Sequence, residues 1–412
     1  EIANPIVENH ALETYENVCL GGTFDNLHSG HKILLSMGAL LARRRLLVGL
    51  TADSVLKRKQ LAPLIRSFDT RCAAVKSFLR DIGFNLDMVE LVPLTDPFGP
   101  PAHESAYNCI ISSAESYSET YLQQSKYSEG ASKGNPKIDH EIPLPAALFD
   151  GKLSSSGQRF GQLGNLLRPV NMNAPALRDT SNVYVIGLIG PSGAGKSSLA
   201  KRLANLSPVV HVIDCDKLGH DAYLPGTACY HQLLSHFGPE SIRSPEPPFF
   251  IDRNRLGKLV FSDPTRLAEL NGIVWPEIKR TLMSRVAELD ETRSGMQIVV
   301  VDAAVLLQAG WDEMCDEIWL ATISRQEALI RICERCGIDQ PSAEERLDRQ
   351  AAAVAGVTGG LDWWDVGQVD SGRGPAGKAH VILSTQWEPE CSQLQVEKAW
   401  RALKARLPRP VD

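Results

Sequence analysis

The chain has 412 residues, 43% of them hydrophobic, and a formal net charge of −6 at pH 7. That length accommodates two or three domains with sizeable cores. The mild acidity excludes a general electrostatic grip on nucleic acid or on an anionic membrane, and no apolar run reaches the length of a membrane span. The first predicted element is a strand, Val18 to Gly22, an apolar run entering glycines. Gly30 to Arg43 carries Ile33, Leu34, Met37, Leu40 and Leu41 at helical spacing, and Leu46 to Leu50 is the next strand. Together they form a β-α-β unit, which implies a parallel sheet. Arg43, Arg44 and Arg45 read as a solvated helix end. A helix over Phe68 to Arg80 and strands over Met88 to Leu91 and Asn108 to Ser112 follow. Residues 123–150 are polar and rich in Gly and Pro, and read as a loop. Residues 168–180, rich in Pro and Asn, read as a linker.

Alternation of strand and helix resumes after the linker. Strands are predicted at Val183 to Ile189, Val209 to Asp214, Ile298 to Asp302, Ile318 to Ala321 and His380 to Ser384. Helices fall at Lys196 to Asn205, Pro264 to Glu288, Arg325 to Arg335, Ala343 to Gln350 and Cys391 to Leu407. Residues 351–379, rich in Gly and Ala, read as a surface insertion with Trp363 and Trp364 packing it down. The fold class is α/β with two parallel-sheet domains, residues 1–167 and 181–412. Nine cysteines without a framework suit a reducing compartment. Cys333 and Cys336, a lone C-x-x-C in helical surroundings, read as helix-face residues and not as a zinc site. The chain begins at Glu1, which leaves room for an upstream targeting segment. A cytoplasmic or mitochondrion-associated protein is expected.

Residues 187–198 read GLIGPSGAGKSS, directly after an apolar run. Backbone N–H groups converge on phosphate oxygens only where side chains are small, as at Gly190, Gly193 and Gly195. Lys196 would reach the β- and γ-phosphates and the Ser197 hydroxyl would hold Mg²⁺. With Ser192, Ala194 and Ser198 this run is the candidate ATP-binding loop, and a helix opening on it turns its positive end to the phosphates. VVHVIDCDKLGH puts Asp214 and Asp216 at a strand end, where a carboxylate can accept a proton from a substrate hydroxyl. Asp302 ends another strand, in position to help hold Mg²⁺ through water. Arg331 and Arg335, at i and i+4 with Arg346 beyond a turn, suit a lid over a transferring phosphoryl group.

A second constellation is GGTFDNLHSGHKILL, Gly21 to Leu35. Gly22, Thr23, His28 and His31 lie at a strand-to-helix turn. Two imidazoles beside glycines and a helix start can grip polyphosphate oxygens and stabilise charge developing in a transition state. The string T-F-D-x-L-H-x-G-H resembles the H-x-G-H nucleotidyltransferase family, whose domain is Rossmann-like and which releases pyrophosphate without a covalent intermediate. The resemblance implies that His31 is the principal catalytic residue, that Thr23 orients the nucleophilic phosphate and that His28 binds ATP phosphates. It also implies a lysine after the second strand, Lys57 or Lys59, with Lys59 preferred. Residues 151–169 resemble a later family segment in which Ser154, Ser155 and Ser156 donate to ATP phosphates and Arg159 adds charge.

The second half resembles the dephospho-coenzyme A kinase family, a P-loop kinase family. It shares the phosphate loop, the run Ile213, Asp214, Asp216, His220, the segment Asp252, Arg253, Leu256, Val260, Phe261, and the arginine lid. That likeness implies Asp216 as general base and Arg335 as a lid contact. The tandem order, with LGNLLRP, STQWEP and QVEKAW, resembles the bifunctional coenzyme A synthase family. It implies adenylyl transfer from ATP to 4'-phosphopantetheine, then phosphorylation of the dephospho-CoA ribose 3'-hydroxyl to give CoA, with Mg²⁺ accompanying ATP. Gln308 stands where the kinase family usually has an acid, and residues 351–379 have no counterpart. Two other readings stay open. One is an H-x-G-H cytidylyltransferase fused to a nucleoside or sugar kinase. The other is a non-catalytic first domain kept as a scaffold or substrate-binding module.

Overall fold

Two five-stranded sheets, parallel throughout, organise the computed structural model. It describes residues 13–95, 108–113, 138–142, 154–170, 182–247, 249–260, 263–293 and 295–407. The chain divides into one unit of Glu1–Gly161 with Trp364–Gly372 and a second of Gln162–Trp363 with Arg373–Asp412.

In the first unit, β1 (Tyr15–Gly22), β2 (Ala42–Thr51), β3 (Val89–Leu94), β4 (Cys109–Ser113) and β5 (Ile138–Ile142) lie in the order β3-β2-β1-β4-β5. Val18, Leu20, Val48, Leu50 and Ile111 line one face of the sheet and meet Leu34 and Leu35 of α1 (Ser29–Leu41) and Val75 and Leu79 of α3 (Phe68–Asp81), with α2 (Asp53–Leu56) between them in the chain. Cys19 and Leu47 belong to the opposite face. Apolar side chains on both faces are what a buried parallel sheet requires. The chain moves from β1 outward to β3, then restarts on the other side of β1 with β4. Strand order therefore reverses at β1, and ligands in open α/β sheets bind at the carboxyl ends of strands at such a point.

Three features of this unit differ from expectation. Arg43, Arg44 and Arg45 are not a helix end: α1 stops at Leu41, and these residues open β2. Arg45 pairs with Glu90 of β3, so the polar start of a strand outside the apolar layer reads locally like a helix terminus. The expected loop over 123–150 contains β5, whose order comes from pairing with β4; the rest of that stretch lies outside the described residues. The expected insertion is not a surface excursion. Trp363, Trp364, Val366 and Gln368 are buried, and Trp364–Gly372 counts with the first unit. Val366 joins Leu56, Ala62 and Ile65 in an apolar cluster, and the Gly367 N–H donates to the Ile65 carbonyl at 2.8 Å. A Cβ on Gly367, at φ +71°, would stand 2.8 Å from that of Ser67, so the close approach itself demands glycine.

In the second unit, β6 (Val183–Ile189), β7 (Val210–Asp214), β8 (Gln297–Asp302), β9 (Glu317–Thr322) and β10 (Val381–Ser384) lie in the order β10-β9-β6-β8-β7. Helix α5 (Lys196–Ala204) follows β6, and α6 (Cys215–Ala222) follows β7. Further on, α7 (Ala228–Phe237), α8 (Arg253–Val260) and α9 (Pro264–Thr292) precede β8. The antiparallel pair α10 (Arg325–Cys336) and α11 (Gln340–Val357) is followed at the end of the chain by α12 (Pro389–Arg406). Helix α11 runs seven residues past its expected end because the Ala-rich start of the supposed insertion continues it. Buried Glu317, the first residue of β9, accepts from Tyr184 Oη, Trp319 Nε1 and Arg406 Nε and Nη2.

Asp370 accepts from the Ser67 backbone N–H at 3.1 Å and from its hydroxyl at 2.8 Å, and Ser67 is the N-cap of α3. Asp370→Ala is expected to lower the stability of the first unit by about 1–2 kcal/mol, the range for losing a cap-linked bond to a charged acceptor. Asp370→Asn should retain most of it. Urea melts of the full chain, read at the first-unit transition, check this.

Candidate active sites

The first site gathers at the carboxyl end of β1. The turn after Gly22 passes through two non-glycine residues in the left-handed region, Phe24 (φ 51°) and Asn26 (φ 48°), a conformation that surrounding structure must enforce. Buried Asp25 does part of this. Its carboxylate takes Arg159 Nη1 at 2.6 Å and the Arg66 N–H at 3.3 Å, while its carbonyl accepts from Ser155 Oγ at 2.8 Å. Arg71 does the rest. Buried within α3, it donates to the Thr23 carbonyl (2.8 Å), the Thr51 carbonyl (2.9 Å), the Arg66 carbonyl (3.0 Å) and Asp53 Oδ1 (2.6 Å). The ends of β1 and β2 and the loop beyond are thus tied to one guanidinium.

On this frame His28 is the N-cap position of α1 and His31 lies in the first turn, with their rings stacked at 3.9 Å between centroids. Each buries an Nδ1 without a protein partner. Burial pulls the His31 pKa down to about 4, helped by neighbouring His28 and Lys59, and burial also lowers that of His28. Both rings are therefore neutral near pH 7. Lys59 Nζ donates to Thr23 Oγ1 at 2.7 Å, whereas Lys57 pairs with Asp365. The structure separates the two lysines that the sequence left as alternatives. At the start of α4 (Ser155–Gln162), Ser154 Oγ accepts from the Gly157 N–H at 3.0 Å and Ser156 Oγ from Arg159 Nη2 at 3.0 Å. Those two hydroxyl protons are left to donate elsewhere, while Ser155 uses its own on Asp25. Arg159, expected to add charge for ATP, is buried beneath the turn against Asp25.

The second site is the loop from β6 to α5. Gly190 has φ 150°, and a Cβ there would lie 2.4 Å from the Ala321 carbonyl oxygen; one on Gly193, at φ 82°, would lie 2.9 Å from that of Ala328. Both glycines are dictated by backbone against backbone. Lys196 Nζ donates to the carbonyls of Gly190 (3.0 Å) and Pro191 (3.3 Å). Burial lowers its pKa, Asp302 and Asp216 oppose that, and Arg335 and Arg346 add to it. Ser197 Oγ donates to buried Asp302 at 2.6 Å, and burial raises the Asp302 pKa against that bond and Lys196.

Asp214 and Asp216 are not alternate residues of one strand as the sequence reading had them. β7 ends at Asp214, which caps α6 by accepting from the Lys217 N–H at 3.2 Å, and Asp216 lies in the first helical turn. Cys215 between them is buried, its thiol pushed up to about 12 by burial and the three surrounding carboxylates, which removes it as a nucleophile. Arg331, expected over the phosphoryl group, bonds the loop itself: Nη1 reaches the Gly193 carbonyl (3.4 Å) and Thr385 Oγ1 (2.9 Å), and Nη2 the Thr385 carbonyl (2.7 Å). Asp25, Arg71, Gln350 and Thr385 were not singled out from sequence. Asp25 carried a signal in its place inside the T-F-D-x-L-H string, and Thr385 in its place inside STQWEP.

Two nucleotide-phosphate sites, each at the carboxyl end of a parallel sheet, define a chain of two nucleotide-handling units, the second built as a P-loop kinase. Family models agree: a Cytidylyltransferase-like model matches residues 19–157 and a Dephospho-CoA kinase model residues 184–358. The chain is 31% identical over 218 residues to a dephospho-CoA kinase of Symbiobacterium thermophilum, covering 53% of this chain and 80% of that one. It is 37% identical over 168 residues to one of Geobacter metallireducens, covering 41% and 80%. A crystal structure of a Thermus thermophilus protein aligns over 55% of this chain and 99% of its own length, at 24% identity and a TM-score of 0.41. Through its second unit the chain belongs to the dephospho-CoA kinase family, and its first unit is cytidylyltransferase-like.

The depressed His31 pKa has a consequence for stability. Between pH 6.5 and about 4 the unfolded chain binds a proton at this residue that the folded chain does not. Stability from this group is therefore intact above pH 6.5 and falls as pH drops toward 4. Denaturant melts of the first-unit transition from pH 7 to 4.5 should show this slope, and His31→Gln should flatten it.

Proposed function

We propose that the chain catalyses two consecutive transfers: adenylyl transfer from ATP to 4'-phosphopantetheine in the first unit, then ATP-dependent phosphorylation of the dephospho-CoA ribose 3'-hydroxyl in the second. One observation carries the first half. Thr23, Lys59, His28 and His31 converge at the β1 switch point, with Lys59 in contact with Thr23 and both imidazoles held neutral. Lys59 and the Thr23 hydroxyl would fix the phosphate of the acceptor, and His31 would donate a hydrogen bond to the α-phosphate oxygens as charge grows there. No covalent intermediate is required, so positioning and charge stabilisation suffice. The product of such a transfer to 4'-phosphopantetheine is the substrate after which the family of the second unit is named, which favours this acceptor over others.

In the second unit Asp216 would take the proton of the ribose hydroxyl, and Lys196 would leave its loop carbonyls for the transferred phosphate. Arg335 and Arg346 would close over it. Among the described residues no group of three or more His, Cys, Asp and Glu is placed to hold a metal alone. A hydroxyl and a buried carboxylate 2.6 Å apart, Ser197 and Asp302, do fit a hard cation that takes its remaining ligands from phosphate and water. Mg²⁺ held there with ATP would neutralise charge on the phosphate oxygens.

His31→Ala is expected to cut pyrophosphate release with 4'-phosphopantetheine by about a hundredfold or more while the kinase step persists. Lys196→Ala should do the reverse, so that dephospho-CoA accumulates. A product assay offering 4'-phosphopantetheine against cytidylyl acceptors tests substrate class. If no acceptor supports pyrophosphate release while dephospho-CoA is still phosphorylated, the first unit is a binding module.

Asp216→Asn and Asp214→Asn separate base from cap. The first should abolish phosphoryl transfer with ATP binding retained. The second should keep most of the cap stability and lose only part of the rate, since an amide oxygen still accepts from Lys217. Single-turnover assays decide; a dead Asp214→Asn beside an active Asp216→Asn would reassign the base.

A further inference from the structure

The two helices carrying the lid arginines are each fastened to the phosphate loop by a residue one turn away from the arginine. On α10 that residue is Arg331, four before Arg335. Its guanidinium bonds the Gly193 carbonyl and both Thr385 oxygens, and Glu327 holds Nε at 2.9 Å. On α11 it is Gln350, four after Arg346. Its Oε1 accepts from the Ser192 N–H at 2.9 Å and its Nε2 donates to Ser192 Oγ at 2.9 Å, a two-point clasp on one loop residue. Residues four apart share a helix face. Each helix therefore carries an anchor and an arginine on one face; Arg346 Nη1 lies 3.7 Å from Cys336 Sγ of α10, and the charges of Arg335 and Arg346 both act on Lys196.

The fastening also orients the loop. Thr385 Oγ1 accepts from Arg331 and donates to the Ala194 carbonyl at 3.0 Å. In a planar trans peptide the carbonyl and the following N–H point in opposite directions. Drawing the Ala194 carbonyl toward Thr385 turns the Gly195 N–H away from Thr385. Gly195 itself allows this packing: a Cβ there would lie 3.0 Å from the Thr385 methyl.

We propose that Gln350 and Arg331 are positioning residues of the kinase, Gln350 aiming Arg346 and Arg331 aiming Arg335 at the transferring phosphoryl group. The inference rests on the kinase reading of this unit. Neither residue touches the reacting atoms. Each acts by fixing where an arginine stands relative to a loop that holds the phosphates, and a displacement of about 1 Å at such a group can cost up to a hundredfold in rate.

A double-mutant cycle on the full chain tests it. In steady-state phosphorylation of dephospho-CoA, Gln350→Ala should lower kcat about tenfold or more with the KM for ATP changed less than about threefold, because the loop and Lys196 remain. Added to Arg346→Ala it should cost little further, since its effect runs through that arginine. Gln350→Glu, which keeps the acceptor for the Ser192 N–H, should recover much of the loss. Arg331→Ala with Arg335→Ala should behave likewise, and Thr385→Val, isosteric but without the hydroxyl, should mimic part of Arg331→Ala. Multiplicative losses in both cycles, or a Gln350→Ala enzyme within about twofold of the parent, would overturn the proposal. Hydrogen exchange reads the anchoring without activity: amides of residues 343–350 should exchange faster in Gln350→Ala at unchanged melting temperature, and unchanged exchange also counts against it. A parent chain inactive on dephospho-CoA would instead sink the kinase reading, with the exchange result still deciding the clasp.

Discussion

Charge brought to the carboxyl end of a parallel sheet must be compensated before any ligand arrives, and this constraint shapes both units. In the first, Lys59, Arg71 and Arg159 stand around one strand-to-helix turn. Asp25 answers Arg159 and Asp53 answers Arg71 through buried or half-buried bonds of 2.6 Å. In the second, Lys196, Arg335 and Arg346 face Asp216 and Asp302. A buried pair stripped of one partner is costly, on the order of 3–5 kcal/mol. The acids are therefore as much part of each site as the cations, and each pairing leaves a different residue available for substrate: Lys59 in one unit, Lys196 in the other. Neutral histidines serve the same end. A protonated His31 would add charge beside Lys59, and burial prevents that.

Two kinds of backbone strain support these sites, and they have different causes. The phosphate loop uses glycine because neighbouring carbonyl oxygens come within 3 Å of where a Cβ would be. The T-F-D-N turn instead holds Phe24 and Asn26 at positive φ, and no glycine relieves it. Phe24 is fully buried and its ring lies 5.3 Å from that of His31. Its side chain thus recovers by packing what its backbone gives up, and in doing so backs the His31 imidazole. Glycine at 24 would remove the strain and the support together.

Local signals were legible in the sequence and distant ones were not. The β-α-β order, the phosphate loop and the H-x-G-H turn are written in contiguous residues, and β6 falls where its apolar run put it. Lys59 was preferred over Lys57 on resemblance alone, because the residue that takes Lys57, Asp365, lies some three hundred positions away. Gln350 bonds Ser192 across 158 residues and Arg331 reaches Gly193 across 138. Nothing in its own neighbourhood marks Gln350, and the i, i+4 spacing that marks Arg331 does not say that it bonds the loop. Arg71 reads as an ordinary charged helix position, yet tertiary packing makes it one of the largest fully buried side chains. The segment at 364–372 misled for the same reason: Gly-rich composition suggests exposure, whereas Gly367 is needed for contact with Ser67.

The pair Asp214 and Asp216 shows how secondary structure, more than spacing, assigns chemistry. Two acids two residues apart on a strand would be equivalent in direction and hard to rank. Ending the strand at Asp214 breaks that equivalence. Its carboxylate becomes the acceptor for an otherwise orphaned helix N–H, the role that Asp fills best at an N-cap. Asp216, two positions into α6, has no such duty and lies where Lys196 feels its charge. A proton acceptor has to be free to accept, so under the proposed mechanism the cap that occupies one acid would leave the other for the substrate hydroxyl.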